Sequence, residues 1–219
     1  MAGGRSNKHR LYISLLYRQN ADNFHWAITL GPRIEQPNSK DSVRYDAANT
    51  ITSEWNGVQP VPWRYRYDPV DPLLDMKLVA RILIAKLPSN TSFEDWATTI
   101  HQTCRAVPLV QNNSAWTCRI WAIQALCALR ALGGAFSTIP DVQDGNPDEA
   151  EIVAFAQIQK ARLLAGEVKA GDIHAIALFD MRRQRRDSVF RRPTPSGFKA
   201  EKGRKEASDV PDVVLSSAV

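Results

Sequence analysis

Apolar and polar residues alternate through the first half of the chain and change to helical spacing in the second. Leu11, Ile13, Leu15 and Tyr17 recur at every second position, and so do Phe24, Trp26, Ile28 and Leu30. Alternation of period two places one set of side chains on one face of a strand and the intervening set on the other. The pattern therefore predicts strands over Leu11–Tyr17 and Phe24–Leu30, with His25, Ala27 and Thr29 opposite Trp26. Val43–Ala47 and Trp63–Tyr67 predict a third and a fourth strand, the last alternating aromatic with basic residues as an edge strand with one apolar face. Leu78–Leu87 is apolar almost throughout, is closed by Pro88, and predicts a fifth; its first half could instead finish a short helix from Pro72. Gln19–Asn23, Gly31-Pro32 and Asn38–Asp41 supply turn residues between them.

Helix signals follow. Ser92 is an N-cap for Phe93–Cys104, with Glu94 and Asp95 in the first turn. Thr117 is the N-cap of a second helix rich in Ala and Leu, stopped by Gly133-Gly134. A third helix runs from Asp148 to Leu164, and Ile173–Phe179 forms a short last element. Strands first and helices second make an α+β domain over residues 11–180. Residues 1–10 read as a disordered start and 181–219 as a basic disordered tail.

The second helix brings in chemistry. Cys118 is its first residue, where unpaired N–H groups and the positive end of the dipole favour a thiolate. Cys127 lies nine positions on, half a turn away, so the two thiols cannot share a face; Cys127 among Ala and Leu reads as core. His25 is the candidate base, and Asp46 on a neighbouring strand is the candidate to orient its ring, with Asn112, Asn113 and Gln124 weaker choices. The N–H groups of Cys118 or Arg119 could hold an oxyanion, and the Arg119 side chain, with Trp26, could contact substrate. The bland alternatives are a buried structural cysteine, a hydrogen-bonded strand histidine, a turn aspartate and a surface arginine.

Composition narrows the setting. The chain of 219 residues is 44% hydrophobic, enough for one sizeable domain. Ten Lys and Arg against six acids from Asp180 onward account for four of the five net positive charges, leaving a near-neutral folded part that argues against a nucleic-acid-binding core. Three cysteines without C-x-x-C spacing argue against a disulfide scaffold or a zinc site and for a reducing, cytoplasmic setting. The Arg182–Arg186 run reads first as a solvated tail, with a nuclear signal or a weak nucleic-acid or membrane contact as the alternatives. Arg5, Lys8 and Arg10 before the first apolar run mimic a signal peptide, yet that run is short, contains two Tyr and lacks a small-residue cleavage site. No apolar run approaches the length of a membrane span.

His25-Trp26-Ala27-Ile28 in an early strand, followed by Thr117-Cys118-Arg119-Ile120-Trp121-Ala122 opening an apolar helix, resembles the circularly permuted papain-like cysteine enzymes, in which histidine precedes cysteine. The lecithin retinol acyltransferase-like and NlpC-type groups are the nearest in pattern. The chain is also similar to uncharacterised fungal proteins with Phe-His-Trp-Ala and Cys-Arg-x-Trp segments. The resemblance covers about residues 11–165 and sets the two motifs 93 residues apart. It implies an antiparallel sheet from the N-terminal half against helices from the C-terminal half. It also implies a thiol-dependent hydrolase or acyltransferase acting on an amide, ester or peptide without a cofactor. Thr117 stands where that group often has Asn, Asp46 where it often has a second His, and no membrane anchor follows. The alternatives are a non-catalytic binding domain on the same fold and a nucleic-acid-associated protein acting through its tail.

Overall fold

The computed structural model describes residues 8–18, 23–36, 38–50, 61–169 and 177–182. Five strands come first: β1 (His9–Leu16), β2 (His25–Gly31), β3 (Ser42–Ala48), β4 (Arg64–Val70) and β5 (Leu78–Leu87). Three helices follow, α1 (Phe93–Arg105), α2 (Cys118–Ala131) and α3 (Pro147–Leu164), with a 3-10 turn at Gly134–Thr138 after α2. A last strand, β6 (Ala177–Asp180), closes the order. The fold is α+β: one six-stranded sheet, in the order β4-β3-β2-β1-β5-β6, and three helices.

The first five strands pair antiparallel, as meander and hairpin connections require, but β6 pairs parallel to β5. The sheet is therefore mixed rather than antiparallel throughout. Leu78–Leu87 is strand along its full length, with no helix finishing inside it. The N-terminal boundary also moves. His9 and Arg10 belong to β1, and the His9 ring packs edge-on against Phe93, so the start expected to be disordered contributes to the sheet. Met181 is buried, so the domain extends past residue 180. Residues 1–7 and 183–219, where most of the disordered start and the basic tail were expected, lie outside the described residues.

Alternation sorts the two sheet faces. Leu11, Ile13 and Leu15 of β1, Trp26, Ile28 and Leu30 of β2, and Val43, Tyr45 and Ala47 of β3 join one apolar core. That core is completed by Ile100 and Cys104 of α1 and by Trp121, Ala125 and Leu129 of α2. The Tyr45 hydroxyl donates to the Ala97 carbonyl of α1, fixing helix to sheet. At roughly 25 cal/mol per Å² of apolar area, burial of this kind supplies most of the drive to fold. The opposite face is polar and largely buried. Ser14 and Thr29 hydroxyls bond across β1 and β2 at 2.8 Å. Arg81 grips Glu35 at 2.6 and 2.7 Å, with both side chains nearly buried. Arg44 bonds Asp75 at 3.1 Å.

The α2 helix buries one face only. Cys118, Ala122, Ala125, Leu126 and Leu129 point inward. Cys127, expected in the core, is exposed. The half-turn offset that separates the two thiols sends Cys127 outward once Cys118 is turned in.

Candidate active site

His25 is the first residue of β2, on the polar face opposite Trp26. The β2–β3 pairing runs from Leu30/Val43 to Ile28/Tyr45. Both strands continue past that last pair, β2 back to His25 and β3 on to Ala48. The β3–β4 ladder, by contrast, continues to Ala48/Arg64. The result is a notch at one end of the sheet between β2 and β3, and the first residue of α2 enters it. Cys118 accepts a hydrogen bond from the Trp26 backbone N–H and shares another with His25.

His25 Nε2 meets Asp46 Oδ2 at 2.5 Å, which leaves Nδ1 as the ring nitrogen able to face the thiol. Asp46 is 0% exposed and stands directly across from Arg66 in the β3–β4 ladder. The guanidinium holds it with two bonds, Nε to Oδ1 at 2.9 Å and NH2 to Oδ2 at 2.6 Å. This fork geometry suits a carboxylate better than an ammonium would. Residues 25, 46, 66 and 118, far apart in sequence, thus form one connected chain of side chains: Arg66, Asp46, His25, Cys118.

The charges follow from these contacts. Burial would push the Asp46 carboxyl up, but hydrogen bonds from His25 and Arg66 outweigh it and hold the group at about 2. Burial would likewise lower His25, yet Asp46 and Cys118 raise it to about 9. Burial opposes ionisation of Cys118 as well. The His25 bond and charge, the Trp26 N–H and the charge of Arg18 overcome it, and the thiol sits below its ordinary value. Cys104 shows what burial does without such partners: its thiol is pushed up to about 12.

The start of α2 adds to this. Both other helices place acids in their first turn, Glu94 and Asp95 in α1 and Asp148 and Glu149 in α3. The first turn of α2 has none. Thr117 occupies the N-cap position, but its side chain makes no capping bond. Cys118 is therefore the one group of that turn that can answer the dipole with negative charge.

A cavity of about 680 Å³ opens in front of the pair. His25 and Cys118 are on its wall, with Trp63, Met76, Arg18 and Lys77 around them. Cys118 is only 1% exposed, so its sulfur lies at the floor.

Two expected substrate contacts fall elsewhere. Trp26 is 1% exposed, its ring in the core; what it offers the site is its backbone N–H. The Arg119 side chain turns away from the cavity to Asp144, at 2.6 Å, and to Glu149, tying α2 to the start of α3. One helical residue on from Cys118 is about 100° round the helix, which explains the divergence. Gln124 is exposed on the outer face of α2, away from His25, and Asn112 and Asn113 are exposed in the loop before α2. Arg66 and Arg18 were not expected in the site. The alternation of Trp63–Tyr67 carried the signal for Arg66, because it set Arg64 and Arg66 on a common face; the register that sets Arg66 opposite Asp46 cannot be read from one strand.

Among the described residues, no group of three or more His, Cys, Asp or Glu is placed to hold a metal ion, and no helix is long and apolar enough to cross a membrane. A family model described as a family of unknown function, DUF6914, matches residues 8–185, and the chain belongs to that family. No curated protein and no solved structure matches the chain.

Proposed function

For this member of the DUF6914 family, we propose a thiol-dependent hydrolase or acyltransferase on a permuted papain-like fold, with Cys118 as nucleophile, His25 as base and Asp46 as the group that orients it. The observation that carries the reading is the convergence of Cys118, His25 and Asp46 at the floor of one cavity, with the thiol lowered and the imidazole raised. With the thiol held below its ordinary value by the His25 bond and charge, and the imidazole raised to about 9, the contacts favour a thiolate–imidazolium pair. A strand histidine preceding a helix-start cysteine is the chain order of the permuted papain-like enzymes.

The thiolate attacks a carbonyl carbon presented at the cavity floor. The carbonyl π electrons move to oxygen, and first-turn N–H groups of α2 stabilise that charge. Collapse of the tetrahedral adduct expels the amine or alcohol, which takes the proton from His25. Water or an amine then attacks the thioester, His25 accepts the incoming proton, and the thiolate is regenerated. Arg66 contributes by keeping Asp46 ionised and still, which holds His25 in place.

The test is the pH dependence of iodoacetamide labelling, read separately at each cysteine. Cys118 is expected to label with an apparent pKa well below the free-thiol value of about 8.5, and His25→Ala is expected to shift it back. Labelling of Cys118 only on unfolding would discard the proposal in favour of a binding role. Catalysis should have a bell-shaped pH profile, its acid limb set by Cys118 and its alkaline limb by loss of the His25 proton near pH 9.

A further inference from the structure

The charges around the cavity are not all matched. Arg44 is paired with Asp75, and Arg66 with Asp46. Resting Cys118 and His25 balance one another. Two cations on the same wall, Arg18 and Lys77, have no acidic partner among the described residues. Arg18 makes only a long bond to Asn23, at 3.4 Å, and its charge is felt at the Cys118 sulfur. Lys77 is exposed on the cavity wall, with its backbone N–H tied to Asp75. A concave site walled by low-dielectric material and carrying excess positive charge concentrates anions.

We propose that the substrate is an anionic acyl compound, an amide or ester bearing a carboxylate or phosphate a few atoms from the scissile carbonyl, and that Arg18 and Lys77 bind that anion while Cys118 attacks. This rests on the thiolate reading of Cys118. It adds a selectivity that the Cys118–His25–Asp46 group alone does not require. Arg18 offers a planar fork that matches either anion, and Lys77 a mobile point charge at the rim. The division of labour is therefore orientation by Arg18 and capture by Lys77.

A pair of small alkylating agents of nearly equal size tests this without a known substrate. Iodoacetate carries a carboxylate; iodoacetamide does not. The rate of each would be measured at Cys118 in the full chain, with exposed Cys127 as the internal reference. The ratio of iodoacetate to iodoacetamide rates is expected to be larger at Cys118 than at Cys127. It is expected to fall about five-fold in Arg18→Gln and by a smaller factor in Lys77→Gln, as loss of one unit charge a few ångströms away implies. Taking the ratio cancels any general change in thiol reactivity that Arg18→Gln causes. In Lys77→Arg the charge is kept and the ratio should be retained. Free phosphate or succinate should slow both reagents at Cys118 and neither at Cys127. If Cys118 reacts readily with both but its ratio is unmoved by Arg18→Gln and Lys77→Gln, the anionic substrate is rejected while the thiolate stands. If Cys118 reacts with neither, both readings fall together.

Discussion

Asp46 carries a negative charge with none of its surface exposed, and the bonds from His25 and Arg66 are what make that tolerable. Removing one member of a buried ion pair costs several kcal/mol, because the partner is left buried without compensation. Arg66 is about one-third exposed and recovers part of that through water, so Asp46→Ala is expected to lower stability by about 3 kcal/mol in urea unfolding. The pH dependence can be worked out from the same contacts. Asp46 is depressed by folding to about 2, so its contribution is complete above the ordinary carboxyl value near 4 and is lost as pH falls through about 2. His25 is raised to about 9, so its contribution is complete below its ordinary value near 6.5 and is lost as pH rises through about 9. The combined contribution of these two groups to stability should be flat between roughly pH 4 and 6.5 and fall on both sides. In Asp46→Asn the fall on both sides should be weaker, since the carboxylate that titrates is gone and His25 loses its main support. An unchanged pH profile in that variant would mean that the His25–Asp46 contact contributes little. His25 and Asp46 were legible in the sequence because alternation and strand order set them on neighbouring strands. Trp26, expected against substrate, instead obeys the same alternation and lies on the core side of β2.

Helix starts decide the next scale. Ser92 and Asn146 each accept a first-turn N–H, from Asp95 and Glu149 respectively, both at 3.0 Å. Thr117 does not. Asn146→Ala should therefore cost about 1 kcal/mol, the usual loss of a side-chain cap, whereas Thr117→Ala should cost a few tenths or less. Urea midpoints of the two variants compare these directly. A Thr117→Ala cost matching that of Asn146→Ala would show that the cap forms in solution and that the first-turn N–H groups are not left for an oxyanion. All three helix starts were readable from their residues, and each begins within one residue of the expected position. What the residues could not convey was whether a cap side chain is used, since that depends on a χ1 angle set by neighbours. Cys127 illustrates a different failure. An Ala- and Leu-rich helix reads as buried all round, but α2 packs on the sheet through one stripe, and its outer face takes whatever residues remain.

At the scale of the whole molecule, the part of the fold made by local pattern was legible and the part made by distant pairing was not. Strands β1 to β4 fall where alternation places them, and β5 where the apolar run closed by Pro88 places it. The parallel attachment of β6 joins residues almost a hundred positions apart, Ala80 to Ala177 and Ile82 to Phe179, and nothing in a four-residue strand announces its partner. The same limit hid the Arg66–Asp46 register. The late pairing nevertheless has energetic weight. Phe179 stacks on Phe155 of α3 at 5.1 Å between ring centres, and Met181 is buried in the core. Deleting everything after Gly166 would expose Phe155, remove Met181 and leave β5 as an unpaired edge, a configuration prone to association. A chain ending at Arg182 keeps all three contacts. Thermal unfolding of the full chain and of the two shortened forms should therefore give nearly equal midpoints for the full chain and the form ending at Arg182. The form ending at Gly166 should unfold many degrees lower and aggregate, because losing a buried Met alone costs roughly 2–5 kcal/mol. Equal stability for all three lengths would mean that β6 adds nothing to the domain. The site offers a second readout of the same truncation. Every residue lining the cavity lies between Leu16 and Cys118, so the form ending at Arg182 should keep the iodoacetamide rate of the full chain. If that rate drops while the midpoint holds, residues beyond Arg182 act on the cavity itself.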